Sequence, residues 1–595
     1  MKRFLAVLAA VISIAFSITE SRCEDERSLG TLVVTPSRIA SSNFARSITI
    51  LDKKVSDMSV YDATPDMIGN IGGVDIRRRG PENVQADVSI RGTTFEQNSV
   101  LIDGIRINDP QTGHYTMDLP LTPEDIDRVE IMKGPGSSLY GPNAFGGVIN
   151  IITKKPEGSK IVFDAEGGSF DYSKVALSAT APFGPVDNRF SIQQSRSTGY
   201  MSDTNFDIFS LANSSSVKTL LGVYDFLFGY TKKDYGASNF YSNLYPNEAE
   251  TTDTRFFNIS GLAEAGDLTV KPSLFLRRHW DKFRLDINRP GWQTNYSTVY
   301  SYGGGSTFNF THDMADVAYG FEVTRDTINS TNMNVHERLS EGIYVEVQPK
   351  ISPELYLNLA LRADHFDGFG GEVSPSVSAS YRINDELSLR GAVGRAYRIP
   401  TFTELYYIDK ANIGNSNLSP ESSWTYETGV DYSLKSFKAG FTYFHRNTYN
   451  TIDWVRSSST APWQASNIGG TSTNGAEVSV AFDRFFFNYT CLDVYSKHSY
   501  TSKYVLDYLK QQMSAGTFIE LSGFKNSWVL NWKKRVGGQS VVIADTKITK
   551  NIVNTKGVTF DAFLEISNLF NTPYSEVANV EMPGRWIKSG ARLRF

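Results

Sequence analysis

The chain has 595 residues, 40% of them hydrophobic and 21% charged, with a formal net charge of −5. Its two cysteines exclude a disulfide scaffold and a cysteine-based zinc site, and its near balance of 59 basic against 64 acidic side chains excludes nucleic acid as the main partner. With 30 Tyr, 37 Phe and 8 Trp it is no low-complexity disordered chain, yet its mean hydropathy is only −0.28, an unusual pairing for a soluble enzyme.

Residues 1–23 read as a secretory signal peptide. Lys2 and Arg3 precede an apolar run over 4–16, too short to span a bilayer, which takes about 20 residues. No later stretch approaches 18 apolar residues. The chain is therefore expected beyond the inner membrane, either as a soluble protein or as a β-barrel. Residues 24–39 form a polar start, then the β-prone run Thr31, Leu32, Val33, Val34 and Thr35. Pro36 follows and stops both helix and ladder.

Residues 40–154 have short apolar runs at 47–51, 63–71, 74–76, 86–92, 100–103, 129–133 and 147–153, with many glycines between them. They read as a small α/β domain. Its loop from Gly136 to Gly141 has P-loop glycine spacing, but Pro142 stands where the lysine is needed. These glycines are read instead as permitting tight turns against a neighbouring wall.

From 155 to 595 the period is two. Leu355, Leu357, Leu359 and Leu361 alternate with Tyr356, Asn358, Ala360 and Arg362. Val373, Pro375, Val377, Ala379 and Tyr381 alternate with Ser374, Ser376, Ser378 and Ser380, and Asn384-Asp385 then turns the chain. Such strands recur over more than 400 residues without a propeller repeat, are rich in aromatic residues, and run to the terminal Phe595. A membrane barrel, apolar outside and polar inside, accounts for this better than a soluble sandwich. At roughly 20 residues per strand and loop, the segment predicts an all-β barrel of about 22 antiparallel strands. A lumen that wide needs a plug, and 40–154 is the candidate to sit inside it. No G-x-S-x-G, H-E-x-x-H or kinase motif set is present, so no catalysis is expected.

Several motifs stand in one order: TLVVTPSR at 31–38, SIRG at 89–92, VLIDGIRIND at 100–109 and RVEIMKGPGSSLYGPNAFGGVINIITKK at 128–155. They continue with GRAYRIPTFTELYY at 394–407, GNSNLSPESSWTYETGVDY at 414–432, ISNLFNTPYSE at 566–576, PGR at 583–585 and Phe595. The series closely resembles TonB-dependent outer-membrane receptors, over nearly the whole chain after the signal. TLVVT and the overall length most resemble the vitamin B12 (cobalamin) receptors among them.

The resemblance implies a lipid-embedded monomer in the outer membrane of a Gram-negative bacterium. It would take up a scarce metal-chelate, cobalamin or else a ferric siderophore, and hand it to a periplasmic binding protein. Energy would come from TonB, with ExbB and ExbD, through the box Thr31–Thr35 added as a strand to TonB. Ligand would meet the plug apices at Thr93, Thr94, Phe95, Gln97, Gln111, His114 and Tyr115, and the outer loops at Tyr235, Phe240, Tyr241 and Tyr245. Arg91, Arg128 and Glu130 would latch the plug to the wall. No cofactor is required, although the cobalamin receptors place calcium in early outer loops, where Asp203, Asp207, Asp234 and Asp253 stand here. That set lacks a dense acidic run, and calcium wants six to eight oxygens. A haem receptor is disfavoured because 406–415 holds no histidine. A passive porin or adhesin is the reading left if no plug fills the bore.

Overall fold

A computed structural model of the protein describes residues 37–39, 45–52, 63–241, 244–289, 291–496, 501–555 and 557–595. The signal segment 1–23 and the box Thr31–Thr35 lie outside the described residues.

The C-terminal three-quarters is a closed barrel of 22 antiparallel strands. Its first strand, Lys160–Gly168, pairs with its last, Trp586–Arg594, in the register Asp164↔Arg592. Closure leaves no sheet edge, which is what hydrocarbon surroundings demand. The period-two pattern takes its expected sense. Leu361, Val373, Val377 and Tyr381 point outward, while Asn358, Arg362, Ser374, Ser376 and Ser378 are buried in the lumen. An apolar outer face on so polar an interior is stable only against lipid. Tyr300, Tyr302, Tyr319, Tyr426 and Tyr443 are among the exposed rings of that face, in keeping with interfacial aromatic belts.

Connections alternate in length. One end has tight turns such as 383–386, and the other carries long loops such as 399–420 and 450–470; these are the periplasmic and extracellular ends. Strands such as Thr294–Thr311, with 18 residues, outrun the 9–11 needed to cross. The excess continues outward past the lipid, where Lys232, Asp253, Arg255 and Arg278 replace apolar side chains on the outer face. The long loops also build a four-stranded sheet of their own, from Asn412–Ile413, Trp463–Asn467, Ile452–Arg456 and Thr501–Ser502.

Inside the bore lies the plug. Strands β1 (Ser47–Asp52), β4 (Asn98–Ile102), β5 (Ile105–Arg106), β6 (Ile126–Lys133) and β7 (Gly147–Thr153) form one sheet in the order β1-β6-β7-β4-β5. Within it only β4 and β7 run parallel. Strands β2 (Val74–Arg78) and β3 (Ala86–Ile90) pair separately, and helices α1 (Thr64–Ile68) and α2 (Ser137–Tyr140) flank the sheets. Each apolar run read from the sequence corresponds to one of these elements. The main core joins Ile76, Val88, Val100, Ile131 and Ile149 to Ala212, Leu227 and Phe256 of the barrel wall. Plug and wall thus share one hydrophobic interior. Gly141 ends α2 at φ +73°, and a Cβ there would stand 3.1 Å from the Arg362 guanidinium on the wall. A side chain at this position would push the turn off the wall.

Candidate ligand site and plug latch

Two short 3-10 turns form the extracellular apices of the plug, Phe95–Gln97 and Gly113–Tyr115. The first is closed by a capping box, with the Gln97 side chain accepting from the Thr94 N–H at 3.0 Å. Thr93 fixes the preceding bend, its hydroxyl donating to the Ile90 carbonyl at 2.9 Å. The turns are clasped together. Phe95 stacks on His114 with ring centroids 4.2 Å apart, and Glu96 accepts the Gly113 N–H at 2.8 Å.

Around this stack the wall and loops supply further rings. Tyr504 meets Phe95 edge-on at 5.0 Å, Tyr241 meets His114 at 5.9 Å, and Tyr115 lies 4.4 Å from His279. Tyr235, Phe240, Tyr241 and Phe283 continue the network at 5.3–6.4 Å, in the offset and edge geometries aromatic rings prefer. The apex rings are almost wholly buried beneath these loops. Of the outer-loop residues read from the sequence, Tyr235, Phe240 and Tyr241 join the apices. Tyr245 stands apart, against Trp292 at 5.3 Å and Arg289. Tyr504, His279 and Phe283 escaped the sequence reading, because only barrel closure brings them over the plug.

Carboxylates dominate the polar part of the site. His114 Nδ1 lies 2.7 Å from Asp87, which also takes Arg79 at 2.7 Å. Burial alone would raise the Asp87 pKa, but Arg79 and the His114 ring outweigh it and hold the carboxyl well below the usual range. Burial lowers the His114 pKa despite Asp87, and the ring donates through Nδ1 to that carboxylate. Asp109 is paired with Arg277 and Asp118 with Lys233, both at 2.6 Å. Glu250 is held by the Tyr115 and Tyr235 hydroxyls, and Asp281 by the Gln111 amide at 3.0 Å. Gln97 donates to Glu421 at 2.5 Å, and Glu421 shares Arg398 with Glu404. Burial, then the nearby Glu404, pushes the pKa of Glu96 up to about 8. The loop after Arg398 docks directly on the second apex, with Phe402 and Thr403 N–H groups donating to the Pro110 and Gln111 carbonyls at 2.9 and 3.1 Å.

The four aspartates considered for calcium do not converge on this site. Strand alternation sends Asp207, Asp234 and Asp253 to the outer face. Asp207 and Asp234 are cross-strand neighbours there, and Asp253 is bound by Arg255 and Arg278 at 3.1 and 2.7 Å. Asp203 sits in a loop at φ 56°. Among the described residues no group of three or more His, Cys, Asp or Glu is arranged to hold a metal ion.

The latch centres on Arg91, which follows β3 in the left-handed region at φ 55°. Its guanidinium donates to Glu477 at 2.8 and 3.0 Å and to Glu427, and stacks over Phe444 at 4.3 Å. Lys133 of the plug reaches Glu477 at 3.3 Å, Arg390 reaches Glu427 at 2.6 Å, and Arg446 donates to the Arg91 carbonyl at 3.0 Å. All these side chains are buried. Arg128 and Glu130, read from the sequence as facing the wall, stand two apart on one face of β6 and pair with each other at 2.8 Å; Arg128 also takes Asp127. Further plug-to-wall pairs are Lys588–Glu82 at 3.1 Å and Arg78–Glu576 at 2.9 Å. Their sequence signal is a basic or acidic residue at a lumen-facing strand position.

The tether described at 37–39 is pinned between α2 and the wall, with Arg38 donating to the Leu139 carbonyl at 2.8 Å. Ser37 and the Arg38 N–H donate to Glu346 at 2.7 Å, and Arg38 pairs with Glu322 at 2.6 Å.

This plugged barrel matches two family models end to end, the TonB-dependent receptor plug domain over residues 41–148 and the TonB-dependent receptor-like β-barrel over 157–569. The chain is a TonB-dependent outer-membrane receptor. It belongs to a family of transporters, not enzymes, of the Gram-negative outer membrane. The receptor is 24% identical to the vitamin B12 transporter BtuB of Photobacterium profundum, over 98% of both chains, and 24% identical to that of Vibrio vulnificus (strain YJ016), over 81% of this chain and 80% of the relative. Among solved structures it resembles a mutant of the ferric enterobactin receptor PfeA of Pseudomonas aeruginosa, with a TM-score of 0.79 at 16% identity, covering 95% of this chain and 100% of that one. It also resembles the siderophore receptor PirA of the same organism, with a TM-score of 0.74 at 18% identity, covering 92% and 99%. At these identities the likeness is one of fold.

Proposed function

We propose that this TonB-dependent transporter takes up a corrinoid of the cobalamin type, energised by TonB bound at Thr31–Thr35. The observation that carries the ligand reading is the chemistry of the extracellular site. Its rings offer flat apolar surface, its cations Arg79, Lys233, Arg277 and Arg398 are already paired with carboxylates, and Glu250 and Asp281 are held by hydroxyl and amide donors. A polyanionic ferric catecholate would find no unpaired cation among these side chains to receive it. A corrinoid, broad, largely apolar on its faces and near neutral overall, suits the site better. The curated relatives at 24% identity support the same reading. Purified receptor titrated with cyanocobalamin and with a ferric catecholate, each with and without calcium, tests it. Tight binding of cyanocobalamin alone is expected. Tight binding of the iron chelate without the corrinoid would transfer the receptor to siderophore uptake. An effect of calcium on affinity would make that ion part of the site.

A further inference from the structure

Two cavities flank the plug on one side of the bore. The lower one, about 870 Å³, opens toward the periplasm and is lined by Ile50, Lys133, Thr442, Glu477, Asn488 and Ser527. The upper one, about 520 Å³, opens outward between the loop at 536–539 and the hairpin Ser575–Val577/Val580–Glu581; Arg78, Asn531, Lys533, Arg535 and Tyr574 line it. Both are bounded by one plug residue, Asn70. Both are also bounded by one barrel strand, Phe524–Arg535, whose Ser527 faces the lower cavity and Asn531 the upper. Four residues of strand rise about 13 Å. Among the described residues, the plug segment 69–72 lies between the two spaces, against that strand and its neighbours.

We infer that solute crosses the barrel here, along the wall formed by strands Phe485–Ser496, Leu509–Leu521 and Phe524–Arg535, and that residues 69–73 are the gate. The bonding of the segment suits that role. Asn531 donates to the Asn70 side chain at 2.8 Å, Gln512 to the Gly69 carbonyl at 3.2 Å, and Asn488 to the Asn70 carbonyl at 3.4 Å. These are neutral amide bonds, which water can replace. Other plug–wall contacts, Arg91–Glu477, Lys233–Asp118, Arg277–Asp109 and Lys588–Glu82, are buried ion pairs, with hydrogen bonds roughly twice as strong. Ile71 is followed by two glycines, and Gly73 at φ +78° packs so closely on Glu477 that a Cβ would stand 2.2 Å from its carboxylate. Lys133, which binds Glu477, also donates to the Gly72 carbonyl at 2.7 Å. The gate thus hangs from the same carboxylate that latches the plug. The inference rests on the transport function and not on which ligand is carried.

A disulfide across the gate tests it. A Cβ added at Gly72 would lie 3.2 Å from that of Asn488, close to the separation a disulfide requires. The double variant Gly72→Cys/Asn488→Cys, in a Cys491→Ser background, is oxidised only after the receptor has assembled. Ser138→Cys/Ser376→Cys is the control lock on another part of the wall, where the two hydroxyls are 2.7 Å apart. Two readouts are taken: the conductance that urea induces in planar bilayers, which needs no ligand, and cyanocobalamin uptake by cells. Oxidising the 72–488 pair is expected to lower urea-induced conductance at least tenfold, with recovery on reduction, while the control lock leaves it within twofold. Uptake should follow the same pattern with surface binding unchanged. Conductance indifferent to the 72–488 lock, or blocked equally by both locks, would overturn the route. Conductance that obeys the locks in a receptor that fails to bind cyanocobalamin would overturn only the ligand.

Discussion

At the plug latch four cations, Arg91, Lys133, Arg390 and Arg446, surround two buried carboxylates, Glu427 and Glu477, and Arg390 also reaches the half-exposed Asp431 at 2.7 Å. That imbalance makes the two sides of the same ion pair unequal in value. Arg91→Met removes charge-assisted hydrogen bonds worth about 1.5–3 kcal/mol, but Glu477 keeps Lys133, Glu427 keeps Arg390, and the positive excess falls. Glu477→Gln leaves four buried cations with one buried carboxylate, Glu427, and the half-exposed Asp431, and stranding buried charge costs about 3–5 kcal/mol. Glu477→Gln is therefore expected to loosen the plug more than Arg91→Met, by roughly 1–3 kcal/mol, or about 5–150-fold in the opening equilibrium. Amide hydrogen exchange in SIRG (89–92) and in the Gly72–Gly73 segment reads that equilibrium directly, in detergent or nanodiscs at fixed pH. Equal protection in the two variants, or faster exchange in Arg91→Met, would refute the charge accounting and reduce the latch to packing of Arg91 on Phe444.

Three further outcomes follow from the site. With its pKa near 8, Glu96 is protonated in the folded receptor over the range from about 4.5 to 8 in which the unfolded chain has already ionised. The folded state then holds more protons, so its stability falls as pH rises through that window. Protection of the 94–98 amides, taken as exchange relative to the intrinsic base-catalysed rate, should fall between pH 6 and 9 in the wild type, and Glu96→Gln should abolish that fall; an unchanged slope in the variant would place the titration elsewhere. Tyr504→Ala removes an edge-on aromatic contact worth about 0.5–1.5 kcal/mol from above the Phe95–His114 stack. Chase of labelled cyanocobalamin should show release faster by about 3–10-fold, and slower release would show that the ring obstructs binding. Val33→Pro should leave ligand binding intact and abolish energised uptake, because proline cannot donate to an added strand. Normal uptake by that variant would remove the TonB assignment from this segment.

Much of the architecture is written in local periodicity. Leu359, Leu361, Val373 and Val377 declare an outer face, and Ser374, Ser376 and Ser378 an inner one, whatever lies elsewhere in the chain, because pleating alone sets the alternation. The plug elements are similarly legible as short apolar runs between glycines. Register and loop length are not. Asp207 and Asp234 seemed loop residues by position, whereas the ladder extends beyond the membrane and turns them outward as cross-strand neighbours. Arg128 and Glu130 sit two apart on β6, so alternation already put them on one face, able to meet each other. Tyr504 and His279 lie 390 and 165 residues from His114, and nothing short of the closed wall and its folded loops brings them to it. Glu427 and Glu477 carry a fainter trace, as acids at lumen-facing strand positions among neutral neighbours.

The seam between Lys160–Gly168 and Trp586–Arg594, finished by the reciprocal bonds of Ile161 and Phe595 at 2.9 and 3.1 Å, has a bearing on biogenesis. The hoop has no complete circumference until the strand Trp586–Arg594 has been made. The plug, translated first, must therefore wait through the synthesis of everything that will enclose it. Both unjoined margins meanwhile stay able to recruit foreign strands. Insertion machinery that grips the C-terminal margin and offers it a temporary neighbour would answer that hazard, and shortening the chain by its last ten residues should divert it to degradation before any question of transport arises.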